Sequence, residues 1–172
     1  LIYYVKTLPK SDILNSKSKL TDSALDRAFE AVGGGLDRVF ASVSFTLAVG
    51  QEIETLSTTN NAGVGAINLT GNAFSNTIYG NAGINVLNGG AGNDQMSGLG
   101  GNDQFYVDSA LDRAFEAVGG GSDRVFANVS FALAAGQEIE TLSTTNSAGT
   151  GAINFAGNAF NNTIIGNAGT NV

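Results

Sequence analysis

Three aspartates spaced nine residues apart, Asp94, Asp103 and Asp112, are the side chains of this sequence best suited to chemistry. Each carboxylate offers two hard oxygens, and such oxygens, joined by backbone carbonyls, build cages for hard cations such as calcium. Asp94 and Asp103 close the glycine-rich runs Gly89-Gly-Ala-Gly-Asn-Asp94 and Gly98-Leu-Gly-Gly-Asn-Asp103, where missing side chains let carbonyls crowd together. Paired glutamates invite an acid-base reading at Glu52 and Glu54, and again at Glu138 and Glu140. No pocket-forming sequence flanks either pair, so they read as a solvated strand face. The chain has no histidine and no cysteine, which excludes disulfides, Cys/His zinc sites and the usual histidine base.

The elements that carry the aspartates follow from a nine-residue period. From Gly71 to Tyr106 the sequence divides into four blocks that begin at Gly71, Gly80, Gly89 and Gly98. Every block has Asn or Asp at its sixth place and one large apolar residue (Ile78, Leu87, Met96, Phe105) at its eighth. Neither a helix nor a coiled coil returns a lone apolar residue to one side at this interval. A six-residue turn followed by a three-residue strand does, with the eighth residue facing inward and its neighbours outward. Stacking such blocks predicts an all-β fold, a parallel β-solenoid built from nine-residue half-turns. Loops on one edge then lie eighteen residues apart, which pairs Asp94 with Asp112, Asn76 with Asp94, and Asn85 with Asp103. The asparagines offer neutral oxygens, and the favoured reading for their blocks is a metal-free hydrogen-bonded ladder.

The third block fits the pattern Gly-Gly-x-Gly-x-Asp-x-apolar-x in full and the fourth departs only at Leu99, so the stretch resembles the repeats-in-toxin (RTX) calcium-binding nonapeptide family. The resemblance implies a right-handed parallel β-roll with calcium as cofactor. Its cages would use the Asp94, Asp103 and Asp112 side chains, with backbone carbonyls of Gly90, Gly92, Gly100 and Asn102, and Asn76 and Asn85 in neighbouring positions. Gly33 to Phe40 and Gly119 to Phe126 look like a related turn and strand, which adds Asp37 and Asp123 as ligand candidates. Arg38 and Arg124 follow these two and offer an ion-free way to neutralise them.

A larger repeat overlies the small one. Ser23 to Gly35 returns unchanged from Ser109 to Gly121, an offset of 109 − 23 = 86. The expected organisation is a cap or connecting segment over 1–22, a first solenoid unit over 23–86 and a second over 87–172, with no sharp boundary, the whole being a piece of a longer array. Residues 1–22 hold all four lysines and the only proline, and Leu1 to Val5 reads as a strand. Ser23 to Val32 has helical apolar spacing and a Ser23/Asp26 pair that imitates a capping box. The same residues also alternate, and the family resemblance selects a strand. Val39 to Leu47 reads as one half-buried strand or two around a bend. Ala62 to Thr70 and Ala148 to Ala156 resume the nine-residue phase, with Leu69 and Phe155 inward.

The formal net charge of −7 and pI near 4.3 argue against a nucleic-acid partner, and no run approaches the roughly twenty apolar residues of a membrane span. The resemblance therefore implies a calcium-binding structural module of a large secreted bacterial protein at the cell surface, of adhesin or S-layer type, and not itself an enzyme. Two alternatives share the same sequence features: a carboxy-terminal folding and secretion module of an enzyme exported by a type I channel, and a fibre subunit joined end to end with its neighbours.

Overall fold

The computed structural model describes residues 3–4, 18–30 and 33–172. The first strands are β1 (Tyr3–Tyr4), β2 (Ser18–Thr21), β3 (Arg38–Ala41), β4 (Phe45–Thr46), β5 (Thr55–Thr58), β6 (Leu69–Thr70), β7 (Thr77–Tyr79) and β8 (Val86–Asn88). They continue as β9 (Gln95–Ser97), β10 (Gln104–Val107), β11 (Arg113–Phe115), β12 (Arg124–Ala127), β13 (Phe131–Ala132), β14 (Thr141–Thr144), β15 (Phe155–Ala156) and β16 (Thr163–Ile165). No helix occurs among the described residues.

All pairings are parallel, in two seven-stranded sheets of order β1-β2-β3-β5-β7-β9-β11 and β16-β14-β12-β10-β8-β6-β4, with β13 and β15 as a separate pair. Through the middle of the chain successive strands alternate between the two large sheets, so the backbone winds as a parallel β-solenoid. The core is the column of eighth-place residues. Ile78 lies opposite Met96 and Met96 opposite Ala114 in one sheet, and Leu69, Leu87, Phe105, Val125 and Leu142 follow one another in the other. Ile78, Leu87, Met96 and Phe105 are fully buried, each contributing about 1.5–3 kcal/mol of apolar transfer.

The winding is less uniform than the nine-residue rhythm predicts. Steps of eighteen hold where Thr77 faces Gln95 and where Gln95 faces Arg113. The step is 20 from Gln104 to Arg124, 17 from Arg124 to Thr141 and 22 from Thr141 to Thr163. The longer windings carry exposed loop residues such as Val64 and Val118, so a winding can take up extra residues without moving its inward side chain.

The 86-residue repeat has a consequence for which way each copy faces. β3 and β12 carry the same Arg-Val-Phe-Ala sequence, yet they lie in opposite sheets. From β3 the chain makes four windings, through β5, β7, β9 and β11, and half of another to reach β12. One unit therefore advances four and a half windings, about 22 Å at roughly 4.8 Å per strand spacing, and turns its successor through half a revolution.

In the second copy of the ambiguous stretch a turn over 109–111 leads into strand β11, whereas in the first copy residues 23–30 hold a turn and no strand, so the strand reading holds for the second copy alone. Residues 31–32 lie outside the described residues. The capping-box likeness has a different cause: Asp26 Oδ2 accepts the Asp22 and Ser23 amides, and Asp112 Oδ2 accepts those of Asp108 and Ser109. The aspartate closes a turn rather than opening a helix. Val39 to Leu47 forms β3 and β4 around a bend, with Phe45 and Leu47 buried. Leu69 is fully buried, and Phe155 is partly buried against the core. In the lysine-bearing segment, β2 pairs with β1 and β3, placing Lys19 opposite Val39; residues 1–2 and 5–17 lie outside the described residues.

Leu99, where the fourth block departs from the nonapeptide pattern, is also the one non-glycine residue at positive φ among the described residues. Leu99 has φ 76, the left-handed conformation that Gly90 adopts (φ 82) at the same place in the preceding block. A side chain there costs roughly 1–2 kcal/mol relative to glycine. Leu99→Gly is expected to raise stability by about 1 kcal/mol, read as a higher denaturation midpoint; an unchanged or lower midpoint would show that Leu99 packing outweighs the strain.

Candidate metal centre

The residue just before each strand defines two stacks, one on each edge of the solenoid. A backbone N–H at the end of a turn has no ladder partner and needs one when buried. Here it takes a side-chain oxygen from the next winding. On one edge the Asp37 amide donates to Glu54 Oε2 (2.7 Å), the Asn76 amide to Asp94 Oδ1 (2.7 Å) and the Asp94 amide to Asp112 Oδ1 (2.8 Å). On the other the Asn85 amide donates to Asp103 Oδ1 (2.7 Å), the Asp103 amide to Asp123 Oδ1 (2.7 Å) and the Asp123 amide to Glu140 Oε2 (2.6 Å). The first-place glycine belongs to the same device, because at Gly71, Gly80, Gly89 and Gly98 a Cβ would collide with the sixth-place side chain of its own turn.

Asparagine and aspartate fill the sixth place differently. Asn76 Oδ1 accepts the Asn72 amide of its own turn while its Nδ2 donates to the Ile53 carbonyl; Asn85 does the same with Asn81 and Ile67. These oxygens are spent inside the turn, as the ladder reading expects. In the Gly89 turn the amide of Gly90, at φ 82, goes to Asn88 Oδ1 instead. Asp94 Oδ2 is left buried without a partner, and so is Asp103 Oδ2. A buried carboxylate oxygen without a donor calls for a cation.

The remaining candidates fall around these two. Gly90 stacks against the Asn72 backbone and Gly92 against that of Phe74, one winding away. Gly100 lies between Ala82 and Gly120, and Asn102 Oδ1 accepts the Ser122 amide. Asp112 stands one winding from Asp94, both its oxygens accepting backbone amides. Asp123 Oδ2 is buried and unpartnered. Arg124 does not serve as its counter-charge: the guanidinium lies 4.4 Å from the Phe126 ring centre and donates to Ser143 Oγ.

Two glutamate readings change. Glu54 and Glu140 do not lie on a solvated strand face; they take sixth-place positions in the edge stacks, and Glu52 and Glu138 accept the Gly33 and Gly119 amides. Glu116 was not singled out by the sequence at all. It falls eighteen residues after Gly98, where the glycine rhythm breaks, and its Oε2 is buried and unpartnered. One oxygen each from Asp103, Glu116 and Asp123 lie within 4.8 Å of one another. Continuing the count of eighteen from Gly80 and Gly98 would have marked Glu116 as the first non-glycine in that column.

Burial is the main reason these acids resist ionisation. It pushes Asp94 up to about 7 against the lowering effect of the Asn76 amide, with the Asp112 charge adding to the rise. Asp103 also reaches about 7, through burial first and then the Asp123 charge, opposed by the Asn85 amide. Glu116 reaches about 7 and Asp123 about 6, again chiefly through burial, with neighbouring acids adding to it.

Residues 70–105 and 154–172 match the RTX calcium-binding nonapeptide repeat, a family model of four copies. No curated protein and no solved structure matches the chain. Only the first matched stretch carries aspartate at the sixth place; the second has Asn162 and Asn171 there.

Because these carboxyls titrate higher in the fold than their free values of 3.8 and 4.5, the folded chain holds protons that the unfolded chain has already released between about pH 4 and 7. Without divalent ions, stability should be greatest near the acidic end of that window and fall as pH rises through about 7. Thermal melts in chelator are expected to give a higher Tm near about pH 4.5 than near about pH 7.5; a Tm that rises with pH would contradict the burial of these acids.

Proposed function

We propose that this chain, which carries RTX calcium-binding nonapeptide repeats, is a structural segment of a large secreted bacterial protein and becomes rigid when calcium enters its edges outside the cell. The observation that carries the reading is the pair of buried, donorless oxygens, Asp94 Oδ2 and Asp103 Oδ2, inside the matched repeats. The donor set fits the ion: these are hard carboxylate oxygens beside glycine-rich turns, with no histidine or cysteine in the sequence to offer nitrogen or thiolate. Asp94 and Asp103 would hold it, aided by Asp112 and by carbonyls of the Gly90, Gly92, Gly100 and Asn102 turns. Calcium bound there supplies positive charge between windings whose carboxylates otherwise repel.

Those carboxylates make calcium binding and folding one process. Below the ion's dissociation constant the charged edges oppose stacking; at about a hundred times that constant a single site adds about 2.7 kcal/mol. Extracellular calcium modules bind at about 10⁻⁴ to 10⁻³ M, a range that leaves the segment loose in a low-calcium cytosol and ordered outside. A surface role of adhesin or S-layer type suits a rod stiffened by ions. The sequence's glutamate pairs support a non-catalytic reading, since all four accept backbone amides.

The test is a pair of thermal melts, with calcium and with chelator, on the wild-type chain and on Asp94→Asn/Asp103→Asn. Asparagine keeps the shape that Asn76 and Asn85 use. Calcium is expected to raise the wild-type Tm by several degrees, and the variant is expected to melt higher than wild type in chelator and to lose most of the calcium response. Superimposed wild-type curves would reject the proposal.

A further inference from the structure

We infer that Asp103, Glu116 and Asp123 form a calcium site of a second kind, built at the break in the repeat rhythm rather than by the repeat, and found once among the described residues. The inference rests on the calcium reading of the repeats and shares Asp103 with it, while Glu116 and Asp123 are ligands of its own. Glu116 and Asp123 lie beyond the matched residues 70–105. They come from the 20-residue winding between β10 and β12, which differs from the eighteen-residue windings before it.

Three observations converge on this place. One oxygen from each acid lies within 4.8 Å of the other two, the width of an oxygen shell around a cation at about 2.4 Å. The three residues are only 1%, 4% and 1% exposed. Asp103 Oδ2, Glu116 Oε2 and Asp123 Oδ2 are all buried without a hydrogen-bond partner, while their second oxygens accept the Asn85, Ala117 and Asp103 amides. The amides thus hold one oxygen of each carboxylate and leave the other without a donor. Gly98 provides the space, since a Cβ there would collide with both Asp103 Oδ2 and Glu116 Oε2. Three formal negative charges sharing so small a volume favour a divalent or higher cation over sodium or potassium, and all-oxygen ligation favours calcium over zinc.

The 86-residue repeat supplies an internal control. Glu116 and Asp123 recur as Glu30 and Asp37, whereas the counterpart of Asp103 is Lys17 by the same offset. In the first unit a lysine stands at the sequence place of the third carboxylate, so the near-identical units are expected to differ in ion content.

Calcium titration by calorimetry on the intact 172-residue chain decides the matter, with variants Glu116→Gln, Asp123→Asn and Glu30→Gln. The glutamine side chain keeps an oxygen that can accept the Ala117 amide. Glu116→Gln and Asp123→Asn are each expected to remove one bound ion, Glu30→Gln to remove none, and Glu116→Gln to melt higher than wild type in chelator because a buried charge is gone. Wild-type stoichiometry and affinity retained in both Glu116→Gln and Asp123→Asn would overturn this site and leave the repeat sites standing. If Glu116→Gln fails to fold, the Asp123→Asn count decides alone. Absence of any calcium binding by the wild type would instead overturn the reading of the repeats.

Discussion

The structure depends on a requirement at its turn ends: the amide preceding an inward-facing strand must find an acceptor, and at six of them the next winding supplies it from an Asp or Glu side chain. This joins windings at both edges and sets their register through the Asp37, Asn76, Asp94, Asn85, Asp103 and Asp123 amides. The cost is charge. Carboxylates stack one winding apart at low exposure, and Asp94, Asp103, Glu116 and Asp123 each keep an oxygen that no donor reaches. Hydrogen bonds alone leave the ladder electrostatically incomplete at these oxygens.

Asparagine and aspartate divide the solenoid into two regimes. Around Asn72 to Asn85, and again around Asn158 to Asn171, side-chain amides cap their own turns and reach neighbouring carbonyls, so these windings close without an ion. Around Asp94 the left-handed Gly90 sends its amide to Asn88 Oδ1, and Leu99 takes the same left-handed conformation before Asp103. Asparagine-capped windings therefore flank those whose carboxylates keep an unpartnered oxygen. The half-revolution between the 86-residue units adds a geometric consequence: outward residues repeated in sequence, such as Phe40 and Phe126, are presented on opposite sheets.

Much of this was readable from residue spacing. The inward place of Ile78, Leu87, Met96 and Phe105 followed from a strand too short to bury more than its central side chain, and the pairing of Asp94 with Asp112 from counting two half-turns. Outside the matched repeats the count failed, because turns of 17 to 24 residues per winding fit the same core column and sequence spacing does not reveal where the extra residues loop out. That is why Asp123 meets Asp103 at a step of 20, why Glu54 and Glu140 belong to the edge stacks, and why Glu116 emerged only from the structure. The first RTX repeat match ends at residue 105, and irregular windings follow it.

Amide hydrogen exchange with and without calcium tests the central claim most directly, because it reads each edge of the ladder separately. The account predicts that calcium strongly slows exchange at the Asn76, Asn85, Asp94 and Asp103 amides, whose acceptors are carboxylates, while the asparagine-capped Asn158 amide changes little. Equal protection of all five amides in chelator and in calcium would contradict it.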